Sequence, residues 1–334
     1  MTIRRQATRG DGMAQSSAVN RVYYRVKPLI PRSAQIWLRR KMVLRKRPAY
    51  SHIWPILEEA GERPDGWSGW PDQRQFALVL THDVETDRGQ QRCLRLMNLE
   101  QQLGFRSSFN LVPERYDVSP KIREMLAAGG FEVGVHGLNH DGKLYQSRRV
   151  FQERAHRINA YLEAWSAVGF RSPAAHHNLK WLHALNIEYD ASTFDSDPFE
   201  PQPDGMQTIF PFCVVGNSTQ KEYVELPYTL PQDHTMFVLL GEETTNIWKQ
   251  KLDWIAEKGG MALMVTHPDY MNFGEGTPRV DEYPVAYYTE FLEYVRDHYA
   301  GRYWLALPRD VASFMRSQRP GVGGVSGSAA RAEQ

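Results

Sequence analysis

Asp83, Glu85, His136, His140 and His267 are the residues of this 334-residue chain whose types and spacing best suit hydrolytic chemistry. They stand in three short stretches, Thr81-His82-Asp83-Val84-Glu85, His136-Gly137-Leu138-Asn139-His140 and Val265-Thr266-His267. Two histidines four positions apart can close one turn on a single ion. Imidazole is the commonest side-chain metal ligand, and two imidazoles with one carboxylate leave positions open for water and substrate, as catalytic zinc sites do. One divalent ion held there would polarise an amide carbonyl and, if it were zinc, bring the pKa of water down to about 7. A carboxylate must then take the water's proton, and a separate acid must protonate the leaving amine. His267 is a suitable donor at neutral pH.

Each stretch follows a strand-like run: Phe76 to Leu80, Phe131 to Val135 and Met261 to Val265. The five residues are therefore expected where strands run out. Side chains alternate along a strand, so Asp83 and Glu85 point to one side and Val84 to the other if the extended backbone persists that far. Either acid could then join the histidines. Further strands are expected at 107–112, 187–192, 223–226 and 303–307, and helices at 90–103, 120–128, 144–165 and 245–258. Repeated strand and helix alternation with functional residues at strand ends favours an α/β fold, either a parallel barrel or a doubly wound sheet.

With its motifs in this order, the chain resembles the polysaccharide deacetylase family, the metal-dependent carbohydrate esterases that remove N-acetyl groups from sugars. The family's Thr-Phe-Asp-Asp-Gly is similar to residues 81 to 85, and its His-Ser/Thr-x-x-His to residues 136 to 140. Its Arg-x-Pro-x-Gly-x-x-Asn is similar to Arg171-Ser172-Pro173-Ala174-Ala175-His176-His177-Asn178, and its Leu-x-His to residues 265 to 267. The resemblance spans residues 76 to 310 and implies an irregular seven-stranded (β/α) barrel. It also implies Asp83 as base, Arg171 as its charge partner and His267 as acid. Val84 replaces the family's metal-binding Asp, so Glu85 is taken as the ligand beside His136 and His140. Branches acting on lipid-linked aminosugars carry Asp-Val-Asp-Thr here, and Asp83-Val84-Glu85-Thr86 is similar with a longer acid. Gly137 replaces the hydroxyl residue that braces the metal loop.

The implied activity is deacylation of an N-acylated glycan, in a polysaccharide or a lipid-linked precursor. Two alternatives stand beside it: a metal-independent cyclic amide or ureide hydrolase on the same barrel, and a non-catalytic glycan-binding protein. Individual residues also have plainer readings. A histidine in a strand-end loop is often a hydrogen-bonded structural group. Pro173, His176 and His177 are read as pocket lining, Asn178 as lining or a helix cap, and Asp190 as a partner of the acid histidine or a strand-end cap.

The near-neutral net charge hides an asymmetry. Residues 1 to 47 hold thirteen Lys or Arg against Asp11 alone, net +12, and the remainder is net −11. Such an arm suggests an anionic partner, either an anionic membrane surface or a polyanion. A nucleic-acid partner is not expected, because no recognition motif accompanies the charge. On a helical wheel the apolar residues between Ile36 and Leu44 scatter rather than forming one stripe. A solvated arm with a few apolar anchors is the resulting expectation. Cys93 and Cys213 form no disulfide framework or thiolate site. With neither a secretory h-region nor a transmembrane run in view, the expected place is the cytoplasm, peripheral on the membrane. The organisation expected is a basic arm (1–47), a Trp-rich lead-in wrapping the barrel (48–75), the barrel (76–316) and a disordered tail (317–334). The Pro-rich stretch 194–219 reads as a long substrate-facing loop.

Overall fold

A computed structural model describes residues 31–216, 221–274 and 276–318. The first thirty residues of the basic arm and all but the first two of the C-terminal tail lie outside the described residues.

Strand β1 (Phe76–Val84) is central, and every one of its residues is buried. Period-two alternation divides it between two cores. Phe76, Leu78, Leu80 and Val84 pack outward under the helices, whereas Ala77 and Val79 face the barrel interior. Strand β8 (Met261–Thr266) runs parallel to one edge of β1 and shows the same division, Ala262 and Met264 outward and Leu263 and Val265 inward. A run hydrophobic on both faces is what a parallel strand covered on both sides requires.

From the other edge of β1 the sheet continues through β2 (Ser108–Leu111), β3 (Glu132–His136), β4 (Gly169–Arg171), β5 (Tyr189–Asp190) and β7 (Tyr223–Glu225), all parallel. Strand β6 (Phe212–Val214) pairs antiparallel with β7, and β11 (Tyr303–Leu305) pairs with the first half of β1, completing a nine-stranded sheet. The sheet curls until residues just past β7 reach β8. There the amides of Thr229 and Leu230 donate to the Leu263 carbonyl at 3.0 and 3.1 Å. The result is an irregular (β/α) barrel. β9 (Met271–Asn272) and β10 (Tyr283–Pro284) form a separate parallel pair.

Helices α2 (Asp87–Leu103), α3 (Pro120–Ala128), α4 (Arg148–Ala164), the short α5 (Leu179–Leu182), α6 (Asn246–Lys258), α7 (Val285–His298) and α8 (Pro308–Ser317) complete the chain order after β1. Several begin at sequence-legible signals: Ser119 caps α3 by accepting from the Ile122 amide, with Pro120 in the first turn, and Ser147 caps α4. The lead-in is packed against the barrel, with Trp54 and Trp70 buried and the Trp70 indole N–H donating to Gly259 at 2.9 Å.

The described part of the basic arm is helix α1 (Arg32–Lys46). It lies on a seven-residue π-helix, His234–Leu240, through buried Ile36 and Val43, and Arg40 donates twice to the Val238 carbonyl. This part of the arm is therefore a helix held to the barrel by apolar anchors, with most of its other positions exposed. No helix among the described residues is long and apolar enough to cross a membrane.

Candidate metal and catalytic centre

Strand ends β1, β3, β4 and β8 open into one cleft of about 990 Å³, and Asp83, Glu85, His136, His140, Arg171 and His267 all line it. The ligand atoms of Glu85, His136 and His140 lie within 4.8 Å of one another. His140 Nε2 sits 3.1 Å from Glu85 Oε1, yet this buried nitrogen has no properly aligned hydrogen-bond partner. His136 Nδ1 donates to the backbone Arg171 carbonyl at 3.1 Å, which fixes the proton there and leaves Nε2 a free lone pair facing the cleft. An orphaned buried imidazole nitrogen, a second imidazole of set tautomer and a carboxylate fit a divalent cation. Their mix of nitrogen and oxygen donors suits zinc and other first-row ions.

Gly137 lets the chain turn sharply between the two candidate ligands His136 and His140. It adopts φ +61°, and a Cβ there would lie 2.6 Å from the Pro173 ring. A hydroxyl side chain has no room at this position. His140 itself has φ +54°, a left-handed conformation uncommon for a non-glycine residue.

Asp83 stands beside the triad rather than in it. Its Oδ1 accepts from the Asn110 amide at 2.9 Å and lies 3.4 Å from Arg171 Nε, while its Oδ2 lies 3.8 Å from His136 Nε2. Burial alone would raise its pKa, but His136, Arg171 and His267 outweigh that and hold the carboxyl below its usual range. Arg171 is aligned by a bond from Nη2 to Thr81 Oγ1, whose own hydroxyl donates to Met264. Three strands thus fix one acid.

Two imidazoles on the cleft are tuned in opposite directions. Burial pushes His136 down to about 4, so its ring is neutral at pH 7. His267 is also buried, but Asp233 outweighs burial and lifts it to about 10. Asp233 Oδ1 lies 2.6 Å from His267 Nδ1, and its Oδ2 accepts from the His267 amide and from Tyr283 Oη. His267 Nε2 then points at the cleft, 4.0 Å from Glu85 Oε1.

Asp233, Asp269 and Tyr270 are functional candidates that sequence reasoning missed. Asp269 accepts from the Glu85 amide at 2.9 Å and from Thr86 Oγ1, and Tyr270 Oη donates to Glu85 Oε2 at 2.9 Å. Gly89 makes room for Asp269, because a Cβ there would lie 2.1 Å from its carboxylate. Asp269 and Tyr270 follow His267 directly in His267-Pro268-Asp269-Tyr270, a proximity that could have flagged them. Asp233 stands in no strand lead-in and carried no such signal.

The expected lining residues need correction. Among those that wall the cleft, Pro173, His176, His177, Asn178 and Asp190 are absent. Pro173 packs on Gly137, and His176 lines a small hollow behind the His140 loop. His177 is buried against the Ala175 carbonyl and Gln202, and Asn178 caps α5 by accepting from the Trp181 amide. Asp190 is fully buried and bonds Ser192, far from the role of holding His267 that Asp233 takes. Pro198, Phe199, Glu200, Pro201 and Pro203 of the long 194–219 stretch do line the cleft, and residues 217–220 lie outside the described residues.

No family model and no curated protein sequence matches the chain. Solved structures do. A protein described as a polysaccharide deacetylase from Mycobacterium smegmatis is 19% identical with a TM-score of 0.59, over 81% of this chain and 99% of that one. A second described in the same terms, from Pseudomonas aeruginosa, is 16% identical with a TM-score of 0.55, over 75% and 94%. An allantoinase is 15% identical with a TM-score of 0.57, over 75% and 93%. At these identities the likeness is one of architecture, and the fold of this chain is that of the polysaccharide deacetylases.

Proposed function

We propose that this chain is a metal-dependent hydrolase that removes the N-acyl group, acetyl in the simplest case, from an amino sugar in a glycan. The observation that carries this reading is the meeting of Glu85, His136 and His140 ligand atoms within 4.8 Å of one another, flanked by Asp83 on one side and His267 on the other. A divalent cation, zinc by the donor set, would supply Lewis acidity at the substrate carbonyl and lower the pKa of water.

The residues supply the proton traffic. Asp83, kept ionised beside Arg171 and oriented by Asn110, accepts a proton from the attacking water as the C–O bond forms. His267, held protonated by Asp233, gives its Nε2 proton to the nitrogen as the C–N bond breaks. Products are a free amine and a carboxylic acid. Glu85 is fixed for its ligand role by Asp269 and Tyr270 rather than by its own strand. A cytoplasmic setting belongs to the same reading, supported by two free cysteines, Cys93 buried and Cys213 half-buried.

Replacing His136 by Ala tests this directly. The variant should lose a stoichiometric divalent ion, measured by elemental analysis after dialysis, together with hydrolysis of N-acetylglucosamine oligomers. Full hydrolysis by metal-stripped H136A would refute the proposal.

A second reading, a metal-independent cyclic amide hydrolase, draws on two observations: Val84 is committed to the outer core instead of the cleft, and an allantoinase shares the fold. Wild-type protein that holds far less than one ion per chain after loading, yet opens a cyclic ureide, would favour it.

A further inference from the structure

Helix α1 is apolar on two opposite sides. Ile36 and Val43 face the π-helix, and Arg40 and Arg47 pin the same side through Val238 and Glu242. Around the rest of the helix stand Trp37 and Met42, each 54% exposed, with Leu38 and Leu44. These are four of the seven large apolar side chains left exposed among the described residues. The scatter that argues against a single stripe is what a helix clasped between the barrel and a second surface would show. At 100° per residue, Lys41 and Arg45 lie between Trp37 and Leu44 on one flank and Leu38 and Met42 on the other. No acidic residue occurs between Arg32 and Lys46.

We infer that this outward face of α1 is a docking surface for an anionic lipid bilayer, and that it seats the mouth of the cleft at the membrane. Charge complementarity selects the occupant, because residues 1 to 47 carry net +12 and each basic group near an anionic leaflet adds about 1 kcal/mol of attraction. The apolar side chains do not form a groove that would fit one rigid partner. They alternate with cations, as in helices that bury Trp and Leu at the acyl boundary while Lys and Arg meet headgroups. The same helix lines the cleft with Arg39, Met42 and Lys46, and Arg88, Arg115 and Arg279 line it too, Arg88 and Arg279 beside Asp281. An acyl sugar carried by a lipid through a phosphate linker would therefore meet Arg39, Lys46 and Arg115 on entering. This deepens the proposed activity by naming the carrier of the substrate and rests on it only for that step.

Flotation of the full chain with vesicles tests the surface without any turnover. The protein should float with phosphatidylcholine vesicles containing phosphatidylglycerol, should stay behind with phosphatidylcholine alone, and should float equally after metal removal. W37S/L44S and K41E/R45E, each at exposed positions and each checked for an unchanged thermal melt, should each weaken partitioning by about tenfold or more. Wild-type flotation by both variants would overturn the inference and assign binding to residues 1 to 30. A change of oligomeric state in the variants, seen by light scattering without any lipid binding by wild type, would overturn it in favour of contact between copies. An N-acetylglucosamine carried on a polyprenyl phosphate in such vesicles gives the second readout. W37S/L44S should slow its deacetylation while leaving soluble oligomers untouched. If neither substrate is hydrolysed, the activity fails and the flotation result still decides the surface.

Discussion

His136 and His267 project from the ends of β3 and β8 into one cleft, are both buried, and hold their protons in opposite senses. The difference lies in what meets each Nδ1. A neutral backbone carbonyl from Arg171 faces His136, whereas the Asp233 carboxylate faces His267. A carbonyl sets a tautomer and adds little charge, so burial wins and His136 stays a neutral base. A carboxylate at 2.6 Å in a buried setting adds a full charge, and desolvation loses to it. One side-chain type is thus tuned to suit, in the proposed reaction, a ligand on one wall and an acid on the other.

Changing Asp233 to Asn should break that contrast with the largest effect. The amide holds the ring in place without its charge, so His267 should lose its proton near neutrality and turnover should fall by about a hundredfold or more. Divalent-ion content should stay at the wild-type level. Unchanged turnover, measured as acetate release, would remove His267 from the role of acid.

Arg171 serves both walls with different atoms, and this sharpens the comparison. Its carbonyl orients His136, and its guanidinium partners Asp83. In Arg171→Lys the carbonyl survives while the planar fork is lost, so activity should drop roughly tenfold to a hundredfold with ion retention intact. Loss of the ion with the activity would show that the side chain also builds the β3 loop.

Most of this framework was legible in sequence, for reasons particular to each part. The expected strand starts at Phe76, Met261 and Tyr223 coincide with those observed, and α3 spans the expected 120–128. Long apolar runs ending in Asp or His leave little choice of register. Helix α4 begins at Arg148 rather than at 144 because Ser147 caps it, and Leu144 and Tyr145 of the preceding turn pack back onto its buried face. Helices α7 and α8 were not anticipated, nor were β4 and β6, whose three residues each are too short for periodicity to register. The partner of His267 was illegible for a different reason. Asp233 reaches it across 34 positions, through closure of the barrel between residues 229 and 263, and no local pattern encodes that approach.

Gly137→Ala probes the ligand wall alone. The substitution places a methyl group against Pro173 in a left-handed backbone, at a cost of roughly 1–2 kcal/mol before the ring shifts. Thermal unfolding should fall by several degrees and ion affinity should weaken, with the Asp233–His267 pair unaffected. A variant as stable as wild type would mean that the loop between His136 and His140 can relax, and that its geometry is not what holds the pair.

Strand β3 carries a further contrast between its two ends. His136 closes it at the cleft, and Glu132 opens it at the far end, where burial lifts the carboxyl to about 7 despite bonds from Tyr189 Oη at 2.8 Å and the Arg309 amide at 3.2 Å. A folded pKa above the unfolded one means that the native state holds the extra proton between about 4.5 and 7. Stability should therefore decline as pH rises through that window and level off above it, by on the order of 3 kcal/mol if Glu132 acts alone. Glu132→Gln cannot titrate, so this part of the slope should vanish from its denaturant midpoints between pH 5 and 8. The ends of β3 are far enough apart for the variant to retain its ion and its activity. A slope identical to wild type would assign the pH dependence to other buried carboxyls, such as the Asp190–Glu225 pair, whose members are likewise held above their usual range by burial.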